Sequence, residues 1–226
     1  MNYNEFYNEF NLAYNNLASN QAAGLDRYEI SVYLTKAQEA LVDALYGEFE
    51  KSEEARRKLA DLIETKKLPK LPRTTIPVDN NIYPDYTTNY AFPNPNDVRY
   101  IINEQVKMNS SANECIAGKY IKVQPCLHDE IDTIINNPYR FNIRRALRLD
   151  TAYNETPYIE ILSKDTNIDY YQIRYIKQPN PIILETLTGD DYINGQQAMS
   201  LGSLPDITHR QIVEIAAKLA YNDYKN

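Results

Sequence analysis

Tryptophan is absent from this chain, glycine occurs only six times, and cysteine and histidine only twice each. Each shortage closes off a class of chemistry. With so few glycines, neither G-x-G-x-x-G nor G-x-x-x-x-G-K-[ST] occurs, which removes the common loops that wrap backbone N–H groups around phosphates. Two cysteines, Cys115 and Cys126, make no disulfide framework, and in a reducing compartment they read as small buried thiols. His128 and His209 lack the spacing of a zinc site such as H-E-x-x-H. His128, beside Asp129 and Glu130, reads as the polar start of a helix, and His209 as a solvated residue in a first turn. Cys126 and His128 are two apart, and a Cys–His nucleophile pair needs an arrangement in space that sequence does not show. Asp190-Asp191, following Gly189, reads as a turn and not as a pair of metal ligands. No apolar run approaches the roughly 18–20 residues that cross a bilayer. The start, Met1-Asn-Tyr-Asn-Glu-Phe, has neither the basic nor the apolar region of a signal peptide. The chain is therefore expected in the cytoplasm, or in an assembly made there, with no membrane contact, no cofactor and no enzymatic activity.

What is present is globular. A hydrophobic content of 43% beside 24% charged residues is enough to bury a core. The net charge of −7 argues against broad nucleic-acid binding, which needs Lys and Arg to neutralise phosphates. Tyrosine is abundant, at 20 residues, and Asn is as common as Lys and Arg together. Codon usage in an AT-rich genome accounts for that bias; so does a surface built for contact, because Tyr is enriched in interfaces. One basic concentration stands out, Arg140, Arg144, Arg145 and Arg148. It reads as a solvated strand edge or an ion-pair partner for the carboxylates of another subunit, with phosphate tracking as the alternative.

The pattern of apolar residues divides the chain into four parts: a helical subdomain at 1–64, an extended arm or loop at 65–96, a small β-rich part at 97–203, and a closing helix at 204–226. Tyr3, Phe6, Tyr7, Phe10, Tyr14 and Leu17 recur at spacings of three and four, an aromatic helix face. Ser31 precedes a second stripe, Leu34, Ala37, Leu41, Leu45 and Phe49, and Ser52 with Glu53 and Glu54 begins a third helix carrying Leu59, Leu62 and Ile63. Prolines at 69, 72, 77, 84, 93 and 95 then forbid helix and break any sheet ladder. From Asp97 onward, short segments rich in β-branched and aromatic residues read as strands, with one helix inserted at 129–136. At the end, Thr208 and Gln211 have the spacing of a capping box, and Ile212, Ala216 and Leu219 form a stripe that predicts a helix packing back on the helical subdomain. Helices, then strands, then a helix is an α+β order.

Three segments carry a resemblance: Ser31-Val-Tyr-Leu-Thr-Lys-Ala-Gln-Glu-Ala-Leu-Val, Tyr175-Ile-Lys-Gln-Pro-Asn-Pro-Ile-Ile-Leu and Pro205-Asp-Ile-Thr-His-Arg-Gln-Ile-Val-Glu-Ile-Ala. Together they resemble the ring or head–tail connector proteins that stack beneath the portal in crAss-like tailed bacteriophages. The resemblance implies a virion structural protein, made in the host cytoplasm, that forms a homo-oligomeric ring, a dodecamer as in related connectors. Its implied partners are further copies of itself, the portal, other connector or tail proteins, and DNA passing through the channel without sequence-specific binding. The candidate interface or channel residues are Arg140, Arg144, Arg145 and Arg148, with Pro77, Tyr83, Pro84 and Tyr86 of the proline-rich stretch. A tail-tube, stopper or cargo protein remains open, as does a carbohydrate-binding module, although Trp, the commonest sugar platform, is missing.

Overall fold

In the computed structural model, which describes residues 1–18, 24–72, 83, 86–109, 115–164 and 167–225, Asp26 rather than Ser31 opens the second helix. The Asp26 carboxylate accepts from the Glu29 N–H at 2.7 Å, and Glu29 accepts from the Asp26 N–H at 3.0 Å, a reciprocal capping box. The helix, α2 (Arg27–Gly47), buries Ile30, Leu34, Ala37, Leu41, Val42 and Leu45. Ser31 lies inside it, because its hydroxyl is used elsewhere: it donates to the Arg27 carbonyl and accepts from the Leu184 N–H at 3.0 Å. Thr35 and Gln38 continue that polar line at helical spacing. The Thr35 hydroxyl meets both the N–H and the carbonyl of Ile182, and the Gln38 amide donates to the Asn180 carbonyl at 2.7 Å. One face of α2 thus satisfies the backbone of a buried extended segment that a helix cannot pair by itself.

The chain divides into two units, Met1–Ile63 with Gln178–Asn226, and Glu64–Lys177. In the first, α1 (Tyr3–Ala18) buries Phe6, Phe10 and Tyr14, while Leu17 is exposed. Ser52 caps α3 (Glu53–Leu59) through the Ala55 N–H at 3.2 Å. The closing helix α5 (His209–Lys225) packs along α1 and α2, as its sequence predicts. Its buried stripe is Ile212, Val213, Ala216, Ala217 and Ala220, shifted from the predicted one, and Leu219 is only half-buried. The Thr208–Gln211 capping box does not form. A 3₁₀ turn (Asp206–Thr208) leads into α5 instead, and the Thr208 hydroxyl bonds back to the Pro205 carbonyl at 2.8 Å.

The second unit is one sheet of seven strands among the described residues: β1 (Ile63–Pro69), β2 (Thr87–Pro93), β3 (Val98–Met108), β4 (Tyr120–Pro125), β5 (Arg145–Tyr153), β6 (Thr156–Lys164) and β7 (Ile168–Lys177). Their order is β1-β7-β3-β4-β5-β6-β2. Two of these strands run into the proline-rich interval, where the sequence predicts none. Pro69 and Pro93 are the last residues of β1 and β2, and both strands lie at the margins of the sheet, where a missing N–H is tolerated. Ile63 likewise begins β1 and is not part of the third helix. The sheet curls until its margins meet: Leu68 of β1 and Phe92 of β2 share one core with Val106, Ile121, Ile161, Tyr171 and Tyr175, and the Leu71 N–H donates to the Ala91 carbonyl at 2.8 Å. β4 and β5 run parallel, which demands a crossover, and α4 (Ile131–Ile135) lies within it. Its Ile131, Ile134 and Ile135, with Phe141, cover Leu147, Leu149 and Leu162 on the outer side of β5 and β6. The class is α+β.

Candidate functional site

The four arginines of the basic cluster fall into two environments. Arg148 sits mid-strand in β5 with its side chain 12% exposed; one guanidinium nitrogen is 3.3 Å from Glu104 Oε2 and the other 3.4 Å from Asp150 Oδ2. The Tyr171 hydroxyl donates to the same Glu104 oxygen at 2.6 Å. Burial pushes the Glu104 carboxyl up, against the pull of Tyr171 and Arg148, and pushes the Tyr171 hydroxyl well above its usual range. Arg148 is therefore tied up inside the sheet. Arg140, Arg144 and Arg145 are exposed and pair with no carboxylate among the described residues. Arg144 and Arg145 border a groove of about 560 Å³ whose other wall is Lys122, Val123, Gln124 and Pro125.

Tyr83 and Tyr86 are half-buried against the α4 cluster. The Tyr83 hydroxyl reaches Glu160 at 3.4 Å, that of Tyr86 reaches the Ile135 carbonyl at 3.4 Å, and Lys164 Nζ stands 5.1 Å from the Tyr86 ring centre. Pro77 and Pro84 lie outside the described residues.

Two smaller expectations differ from the structure. Cys115 is exposed and Cys126 only partly covered, so neither is a buried thiol. His209 is buried, 4% exposed, not solvated: its ring packs 4.8 Å from that of Phe6, and Nε2 lies 3.2 Å from the Leu204 carbonyl. Burial first, then the Met1 amino group, lowers its pKa, against the Leu204 carbonyl and Asp206. His128, exposed, lies 2.9 Å from the Asp150 carbonyl. No group of three or more His, Cys, Asp and Glu side chains that could hold a metal occurs among the described residues.

The feature that residue-by-residue reading misses is the outer face of β1, β7, β3 and β4. Side chains alternate across a sheet, so Leu68, Tyr171, Ile173, Val106, Ile121 and Val123 point to the core while their neighbours point out. The outward positions are Thr65 and Lys67; Tyr170, Gln172 and Arg174; Asn103, Gln105 and Lys107; and Tyr120, Lys122 and Gln124. Arg145, the Cα partner of Lys122, extends the row onto β5. Contacts across strands bind this face together. The Tyr120 and Tyr170 hydroxyls meet at 2.5 Å, Lys67 Nζ stands 5.2 Å from the Tyr170 ring centre, and Lys107 Nζ 4.7 Å from that of Tyr120. Arg174 Nε donates to the Thr65 hydroxyl at 3.2 Å. These outward positions hold five cations and no carboxylate, while exposed Asp169 near the start of β7, bonded to the Asn109 amide, borders them. Period-two alternation of Lys, Tyr and Gln in the strands was the available signal.

A helical unit closed by α5, together with a curled sheet whose α4 covers only part of the outer surface, defines an α+β protein that carries a broad polar sheet face. The chain belongs to the phage tail ring protein 3/4 family, whose model matches residues 1–226. It is 34% identical to ring protein 3 of Bacteroides phage crAss001 over 225 residues, covering 96% of this chain and 93% of that relative. It is 31% identical to ring protein 4/5 of the same phage, covering all of this chain and 94% of that relative.

Proposed function

We propose that the chain is a virion structural protein whose copies close into a ring in the phage tail, stacked below the portal at the head–tail connector, with DNA passing through its centre. The observation that carries the reading is the full-length match to proteins named for rings. The geometry agrees with it. A ring needs heterologous contacts, in which one face of a subunit meets a different face of the next, and this chain offers a wide exposed sheet face that its own α4 leaves uncovered. The polar clusters serve structure in this reading: Glu104, Arg148 and Tyr171 bond to one another, and Ser31, Thr35 and Gln38 bond to backbone. A non-enzymatic role follows. The net charge of −7 suits a channel wall, because a negative surface repels phosphates and lets DNA slide past.

Native mass spectrometry with negative-stain imaging of the purified full chain tests the proposal. Closed rings of one stoichiometry, twelve copies in the proposed case, are the expected result. A protein that remains monomeric at every concentration, or that forms only twofold dimers, overturns it.

A further inference from the structure

We propose that the cation-rich outer face of the sheet is one half of the contact between neighbouring copies, and that the acidic helical unit of the next copy is the other half; this rests on the ring reading above. The two units differ sharply in charge. Residues 1–63 and 178–226 hold 17 acidic and 9 basic side chains, net −8, whereas residues 64–177 hold 14 and 15, net +1. Within the second unit the cations are concentrated further. Lys67, Lys107, Lys122, Arg145 and Arg174 share one face, and none pairs with a carboxylate among the described residues. Five like charges on adjacent strands repel one another, and an opposing acidic surface converts that repulsion into attraction.

The same segregation fixes the kind of contact. A twofold, self-complementary pairing through this face would set basic against basic, so the face favours a head-to-tail partner, the type that closes rings. Tyr120, 46% exposed, adds amphipathic area beside the charges. Nucleic acid is the poorer occupant, because a unit of net −8 on the same chain repels phosphate.

The test uses the full chain with Lys67→Glu, Lys122→Glu and Arg145→Glu combined, and a neutral counterpart with Gln at the same three positions. Sedimentation velocity at low salt reads assembly, and thermal melting checks the fold. The expected result is rings from the unaltered chain, self-association weakened roughly tenfold or more in the Glu variant, and an intermediate loss in the Gln variant. The Glu variant keeps its acidic unit, so in mixtures it should attach to unaltered subunits and leave open, shortened oligomers. Rings of ordinary stability from either variant overturn the assignment of this face while leaving the ring reading intact. Loss of assembly without poisoning of mixtures also overturns it, as does duplex DNA that binds the unaltered chain but not the Glu variant. An unaltered chain that never assembles removes both readings together.

Discussion

Glu104 and Arg148 are the pair on which the inside of the sheet is most exposed to damage. Both side chains are nearly buried, so each leans heavily on the other, with Asp150 and the Tyr171 hydroxyl as further partners. Glu104→Gln leaves a buried guanidinium with a weaker partner and is expected to lower unfolding free energy by about 3–5 kcal/mol in urea denaturation. The double variant Glu104→Leu with Arg148→Met should lose far less than the two single changes combined; additive losses would show that the pair is not coupled. Asp97 behaves differently. Burial pushes its carboxyl up, but Lys66 at 3.0 Å and the Tyr175 hydroxyl at 3.0 Å outweigh burial and hold it below the usual carboxylate range. A lowered folded pKa contributes stability above the unfolded value near 4 and loses it as pH falls through the folded value. The difference in melting temperature between Asp97→Asn and the parent should therefore be largest at neutral pH and vanish in acid. With Asp97 42% exposed, solvent screening keeps the effect to about 1 kcal/mol or less.

Among the elements, α2 shows what a periodic reading reaches and where it stops. Its apolar stripe is evident from spacing alone, and so are the existence of α1, the Ser52 cap and the docking of α5. The polar line Ser31, Thr35 and Gln38 is not, because its meaning depends on residues about 145 positions away in sequence that only folding brings near. Thr35→Val keeps the shape but strands the Ile182 N–H, and should destabilise by about 1–3 kcal/mol. Gly202 closes against the same line: it has φ +81°, and a Cβ there would lie 2.2 Å from Gln38 Oε1. Gly202→Ala should lower the melting temperature, and an unchanged melt would mean that the Gln38 contact yields freely. Ile212, fully buried in α5, should lose about 2–5 kcal/mol on truncation to Ala, measured by denaturant unfolding. The proline-rich interval was the harder case. Proline density argues against strands in general, yet Pro69 and Pro93 fall at strand ends, a distinction that depends on the sheet margin and is invisible in composition. The basic face was equally hidden, since Arg140, Arg144, Arg145 and Arg148 draw attention by clustering in sequence, whereas Lys67, Lys107 and Lys122 converge only when strands from distant segments are laid side by side.

For the whole molecule, the proposed contact between oppositely charged units makes assembly depend on ionic strength. Raising salt well above physiological levels shortens the range of the fields between copies, and the apparent dissociation constant of the ring should rise by about tenfold or more. Indifference to salt in analytical ultracentrifugation would point to an apolar contact instead. A last consequence belongs to the seam at Leu71 and Ala91. Where the two margins of the sheet bond to each other, backbone groups that a foreign strand could recruit are already engaged. At high concentration a tyrosine-rich chain risks strand-to-strand stacking into fibrils, whose growth has no natural end. Fastening the sheet onto itself there removes one template for that stacking, and favours growth through side chains, whose geometry can count copies and stop.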